Sequence, residues 1–191
     1  PAATTESNLM QAVSQRSDLS RCFGAKHAGE QALALAGVSI EDIDLLELYS
    51  CFPVAVLSFA EELGVLGRKD LTVTGGMPFA GGPLNNYVLQ SACRLVELLR
   101  AKPDSHGLIS AVSGMLTKQG FGILSTLPPE AGFIFDDVTE QVAQENPPLE
   151  VLATFEGEAN IASYTVLYEG GEPWRLVAIC DTPHQQRVVA V

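Results

Sequence analysis

Basic residues are scarce in this chain of 191 residues: 11 Lys and Arg stand against 23 Asp and Glu, a net charge of −12. Such acidity repels phosphate backbones and anionic lipid surfaces, which excludes general nucleic-acid binding and electrostatic docking on membranes. Long apolar runs are missing, and none approaches the ~20 residues that span a bilayer. No basic-then-apolar stretch of the signal-peptide kind stands at the beginning. Cysteine is sparse, at Cys22, Cys51, Cys93 and Cys180, and no pair has C-x-x-C spacing. Neither a zinc motif nor a disulfide framework is read from them, and the expectation is reduced thiols in a cytoplasmic protein. Three histidines, His27, His106 and His184, stand apart from one another and from any cysteine pair. Surface or capping roles are expected for them, and no metal site. What the chain does have is 47% hydrophobic residues, enough to exclude wholesale disorder. The opening PAATTESN, small, polar and without an initiating Met, reads as a processed product or a piece of something longer.

Charge divides the chain unevenly. Residues 1–127 carry 9 basic and 12 acidic residues, whereas residues 128–191 carry 2 and 11. The break falls at Pro128-Pro129, a stiff pair that ends secondary structure, so two units are expected, 1–127 and 128–191. The first alternates helix and strand signals, which indicates an α/β layer. Residues 21–36 are Ala-rich with helical spacing, and Gly37 stands where a helix stop belongs. Ser39 with Asp42 three residues on matches a capping box before a short strand from Ile43 to Leu48. Pro53 opens a helix over Val54 to Leu63. Leu71 to Thr74 reads as a brief strand entering a Gly-rich loop. Leu84 to Arg100 reads as an amphipathic helix with Leu89, Cys93, Val96 and Leu99 on one side. Two buried strands are expected at Leu108–Val112 and Gly122–Leu127. In the second unit a short helix over Asp136–Gln144 precedes β-like runs at Glu150–Phe155, Ile161–Tyr168, Trp174–Cys180 and Arg187–Val191. Gly170-Gly171 marks a hairpin, so a small antiparallel sheet or partial barrel is expected.

Two segments carry chemistry. In TVTGGMPFAGGPLNNY, residues 72–87, two Gly-Gly pairs leave little side-chain bulk, so backbone can approach a ligand or another chain segment closely. Asn85 and Asn86 open the following helix, where N–H groups favour a negative or polarised group; the alternative is a tight crossover with an Asn cap. The loop lacks the Lys-Ser/Thr ending of a phosphate loop. In LELYSCFP, residues 46–53, a strand ends and a helix begins, a place where α/β sheets face ligand crevices. There Cys51 reads either as a thiol acid, base or nucleophile or as a small buried hydrophobe. Tyr49 and Ser50 would donate hydrogen bonds or cap.

Taken in order, the helix, AGVSIEDIDLLELYSCFP, TVTGGMPFAGGPLNNY with its long helix, and GLISAVSGMLTKQGFGIL resemble the C-terminal half of a thiolase. The likeness is to the acetyl-CoA acetyltransferase type related to the sterol-carrier-protein thiolases, and one branch of that group adds a small β-rich C-terminal domain like residues 128–191. It implies an α/β fold, the C-terminal half of a thiolase-like fold, with a mixed sheet, followed by a small antiparallel β-rich domain. It implies acyl transfer on a coenzyme A thioester as substrate or ligand, with no other cofactor. The family's H-D-C-F is Tyr49-Ser50-Cys51-Phe52 here, and its G-H-P is Gly81-Gly82-Pro83. The late C-x-G falls near Val112-Ser113-Gly114. The resemblance therefore assigns catalytic positions to Cys51, Tyr49 and Ser113 and substrate binding to Gly81, Gly82, Asn85 and Asn86. With both family histidines replaced, a catalytically degenerate half is expected. Implied partners are acyl-CoA, the N-terminal half of the fold, and a second copy or a small OB-domain protein. The competing reading is a non-catalytic interaction module in which the acidic β domain recruits a partner protein.

Overall fold

The alternating apolar runs become layers of strand and helix in a computed structural model, which describes residues 2–129 and 132–191. The elements are β1 (Ala3–Asn8), α1 (Phe23–Ala36), β2 (Ile43–Glu47), α2 (Pro53–Glu62), α3 (Met77–Ala80), α4 (Tyr87–Ala101), β3 (His106–Ser113), β4 (Lys118–Ser125), β5 (Ile134–Asp137), α5 (Thr139–Glu145), β6 (Val151–Leu152), β7 (Asn160–Glu169), β8 (Glu172–Asp181) and β9 (Arg187–Ala190). They form two compact units. One runs to Met10 and from Arg21 to Val142; the other joins Gln11–Ser20 to Ala143–Val191. This differs from a cut at Pro128-Pro129. The reason is that β5 pairs in parallel with β1, and Val138 and Val142 lie in the first unit's core.

The first unit holds a five-stranded mixed sheet in the order β2-β3-β4-β1-β5. β1 was not legible as a strand. Its ATTESN is polar, yet it pairs antiparallel with β4 on one side and parallel with β5 on the other. Its inward residues Ala3, Thr5 and Ser7 are small and buried, and the Thr5 hydroxyl donates to the Ala28 carbonyl. Alternation along β3 and β4 splits their side chains between two faces. Leu108, Phe121 and Ile123 pack against α1 and α2 through Ala25, Ala28, Ala32 and Phe59. The alanines let α1 lie close to the sheet, and Gly37 ends the helix in the left-handed conformation at φ 69°. On the opposite face Ile109 packs with Leu95 and Leu99 of α4. Further along that face a shallow groove of about 270 Å³ is lined by Thr4, Val88, Ala111, Gly120, Gly122 and Phe135.

Four sequence expectations change here, the first being that Asp136 and Asp137 end β5 rather than open a helix, which starts at Thr139. The strand at Leu71–Thr74 is a single bridge, Thr72 with Glu47. α4 buries Tyr87, Ser91, Leu95 and Leu99, whereas Leu89 and Cys93 are exposed. The i, i+4 spacing holds, but Tyr87 and Ser91 are drawn inward by hydrogen bonds that hydrophobicity does not register. His27 is buried on α1, with its Nδ1 3.2 Å from the Gln141 amide, rather than at the surface. The capping box appears as expected: the Ser39 N–H and hydroxyl each donate to the Asp42 carboxylate at 2.8 Å.

The second unit holds a four-stranded sheet in the order β6-β9-β8-β7. It is antiparallel from β7 to β9 and parallel between β6 and β9. Gly170 and Gly171 both have positive φ at the tip of the β7–β8 hairpin. Arg187 fastens the early segment to this unit. Only 3% exposed, it donates to Asp181 at 2.7 Å and to the carbonyls of Ser14, Arg16 and Ser17. Asn146 adds two bonds, one to Gln11 at 3.0 Å and one from the Ser17 hydroxyl at 2.9 Å.

Candidate functional site

β2 delivers its C-terminal residues to the head of α2, and this junction builds the site. Pro53 occupies the first helical position of α2, with Phe52 extended before it. Cys51 is therefore left exposed just ahead of the helix. It lines a cleft of about 650 Å³ with Ser50, Pro53, Val56, Leu57, Lys69, Leu71, Thr72 and the Gly75–Pro78 wall. Apolar side chains dominate the lining, and Lys69 supplies a positive charge.

The wall follows from backbone geometry. Gly76 and Gly81 flank α3 with φ, ψ of 78°, 176° and 85°, 161°. Those angles fall in a region open almost only to glycine. The two Gly-Gly pairs thus first serve a tight crossover, and Gly75 and Gly76 also face the cleft. No Asn side chain caps α4; Asn85 and Asn86 form an exposed 3-10 turn with Leu84 before it.

Behind the cleft lies a polar cluster that sequence reading missed. Glu47, 1% exposed, ends β2. Its carboxylate accepts the Thr74 N–H at 3.0 Å and the hydroxyls of Thr74 and Tyr87, each at 2.9 Å. The Ser91 hydroxyl adds a fourth bond at 3.2 Å. Because Tyr87 and Thr74 both give their hydrogens to the carboxylate, their oxygens are left to accept. The Ser50 hydroxyl lies 3.1 Å from the Tyr87 oxygen, which fixes it as the donor of that pair. Ser50 in turn accepts the Met77 N–H at 2.9 Å, and Thr74 accepts the Gly76 N–H at 3.1 Å. The available signal was a single Glu in the apolar run IDLLEL.

Tyr49 is half-buried, packs edge-on to Tyr87 at 5.3 Å and donates its N–H to the Ser110 hydroxyl at 2.9 Å. Burial raises its phenol above the ordinary tyrosine value, and charge on Cys51 and Tyr87 adds to the rise, so it stays protonated at neutral pH. Ser113 ends β3 opposite Lys118 at an exposed hairpin. Gly81, Gly82, Asn85 and Asn86 are exposed and do not line the Cys51 cleft. The fold therefore gathers Cys51, Ser50, Gly75 and Gly76, with Tyr49 adjoining, and leaves Ser113 and residues 81–86 outside that lining. Among the described residues, no three His, Cys, Asp or Glu side chains group as a metal ion would need.

The family description "Thiolase C-terminal domain-like" fits residues 5–81. The chain is 34% identical over 95 residues to the 3-ketoacyl-CoA thiolase of Vibrio vulnificus, which is 49% of this chain and 24% of that one. It is 30% identical over 95 residues, with the same shares, to the 3-ketoacyl-CoA thiolase of Shewanella oneidensis. A solved structure, the monomeric SCP2-thiolase like protein type 1 from Mycobacterium smegmatis, superposes with a TM-score of 0.85 at 28% identity. In sequence and in fold the chain is similar to the C-terminal half of thiolase-superfamily proteins. The Mycobacterium structure covers 99% of this chain, so both units have counterparts there, while the chain covers 42% of that one. The matched segment is about a quarter, 24%, of the length of the curated relatives. The expected fold, a mixed sheet with helices followed by a small β-rich unit, agrees with this likeness. The family description covers Tyr49, Cys51 and Gly81 and stops before Gly82, Asn85, Asn86 and Ser113.

Proposed function

We propose that this thiolase-like half handles acyl-CoA thioesters at the Cys51 cleft and that, by itself, it does not perform ordinary thiolysis. The observation that carries the first part is Cys51, exposed on an apolar cleft of about 650 Å³ beside a side-chain-free Gly75-Gly76 wall. An acyl chain suits that lining, and Lys69 suits a negatively charged group. The second part rests on the replaced histidines. Losing an oxyanion-hole donor costs about 10²–10³ in rate. Losing a general base costs about 10²–10⁴. Tyr49 stays a neutral hydroxyl, and Gly82 has no side chain to take a proton. Ser113 would act only if ligand reached beyond the cleft, as would binding by Gly81, Gly82, Asn85 and Asn86.

An N-terminal half of the fold is the partner we propose for the sheet face along Thr4, Ala111, Gly120 and Phe135, which is apolar and bears a groove. The interaction-module reading is favoured by one observation: β7 is an edge strand with Ile161, Tyr164 and Tyr168 more than half exposed. An unpaired edge of that kind accepts an added strand from a partner, a second copy or a small OB-domain protein included.

The test measures acetoacetyl-CoA binding and thiolysis with the parent chain and Cys51→Ala. Binding that weakens in the variant, without turnover in either, is the expected result. No binding by the parent would sink the thioester reading, and turnover would sink the degenerate one.

A further inference from the structure

We propose that Glu47 is the positioning residue of the Cys51 cleft: it touches neither thiol nor ligand, yet sets the course of the Thr74–Met77 wall and the direction of the Ser50 hydroxyl. The proposal rests on the reading that this cleft is the thioester site.

The argument starts from cost. A carboxylate that is 1% exposed loses its water, and burying it is tolerated only with compensating donors. Here four donors supply that compensation, and none is a Lys or Arg. An ordinary structural carboxylate is satisfied by its own helix cap or by an ion pair, as Asp42 and Glu62 are. Glu47, at the end of β2, instead gathers groups from the 72–76 loop and α4, and two of them pass the constraint on. Thr74 binds the Gly76 N–H, and Tyr87 orients Ser50, which holds the Met77 N–H. Both chains end on Gly76 and Met77, which line the cleft together with Cys51 and Pro53. Gly75 and Gly76 have no side chains of their own to hold the wall there. Hydrogen bonds running back to one buried carboxylate hold it instead.

Glutamine has the same shape as Glu47 but turns one acceptor oxygen into a donor. An NH₂ group would then face donors, so the network must rearrange with no cavity created. Thr74→Val removes the hydroxyl link alone. The test follows iodoacetamide labelling of the full chain, site by site, by mass spectrometry. Cys93, also exposed, serves as internal reference, and buried Cys22 and Cys180 report unfolding. In Glu47→Gln and in Thr74→Val, Cys51 labelling is expected to rise about fivefold relative to Cys93, the equivalent of one ordinary hydrogen bond. The double variant should show less than the product of the two, since both act through one link. Glu47→Asp, which keeps the carboxylate, should return part of the way to the parent ratio. A merely structural Glu47 would change melting temperature or expose Cys22 without moving the Cys51 to Cys93 ratio. A parental ratio in folded Glu47→Gln and Thr74→Val overturns the proposal, as do independent, multiplying effects. If Glu47→Gln does not fold, Thr74→Val decides. Protection of Cys51 by acetoacetyl-CoA is measured in parallel on the parent. Its failure strikes the thioester reading and leaves the labelling ratios to judge Glu47.

Discussion

The Tyr87 hydroxyl donates to the Glu47 carboxylate at 2.9 Å, and both side chains are 1% exposed. One residue ends a strand and the other begins a helix, 40 positions later. This bond ties α4 to β2 behind the cleft. Tyr87→Phe keeps the ring against Tyr49 and removes the donor. It should cost about 1–2 kcal/mol, leaving a buried carboxylate one partner short. For a chain of this size that lowers the melting temperature by roughly 2–8 °C. An unchanged melting curve would show that the bond adds nothing.

Gly76 and Gly82 should respond unequally to a side chain. A Cβ at Gly76 meets the Ser50 Oγ at 3.1 Å, and φ +78° is strained for any L side chain. Gly76→Ala should cost about 1–3 kcal/mol. At Gly82 a Cβ finds only the Met77 sulfur at 3.8 Å. Gly82→Ala should stay within about 0.5 kcal/mol of the parent, as an ordinary surface substitution does. Denaturant titration of the two variants reads the difference, and equal losses would contradict it.

Glu62 gives the first unit an acid-sensitive joint. Burial pushes its carboxyl up, but bonds from Arg21 and from the Cys22 N–H outweigh burial, and the net shift is below the usual glutamate value. The Arg21 contacts are bidentate at 2.8 and 2.7 Å, and the Cys22 N–H donates at 2.7 Å. A folded pKa below the unfolded one means the stabilisation is fully present above the unfolded value, about 4.3. It is lost as pH falls from there through the folded value. Arg21→Ala strands a carboxylate with 2% side-chain exposure, at a cost of about 3–5 kcal/mol. Urea melts at pH 7 and pH 3 check both points. The parent should be less stable at pH 3, and the gap between parent and variant should narrow there.

Arg187 should govern the segment from Gln11 to Ser20 within the second unit. Arg187→Met keeps most of the buried stem but removes the charge that holds Asp181 and three carbonyls. The expected loss is about 3 kcal/mol, from buried acceptors left without a charged donor. Limited proteolysis should then cut within residues 11–20 sooner than in the parent, and an unchanged rate would refute the role.

Local chemistry, read from sequence, determined several element boundaries here. Pro53 starts α2, Gly37 stops α1, the Ser39–Asp42 pair caps a turn, and Gly170-Gly171 turns a hairpin. Each is a property of one to four neighbouring residues, so it survives without knowledge of the fold. The same holds for placing Cys51 at a strand-to-helix junction. The tertiary structure decided what depends on distant partners. β1 is a strand because β4 and β5 flank its backbone, although its side chains are polar. Segment 11–20 joins the second unit because Arg187, some 170 residues away, binds its carbonyls. α4 turns Tyr87 and Ser91 inward because Glu47 waits there to accept their hydrogens. Hydrophobic periodicity scores a buried Ser or Glu as an exposed one, since what makes its burial tolerable is a hydrogen-bond partner that only folding brings near.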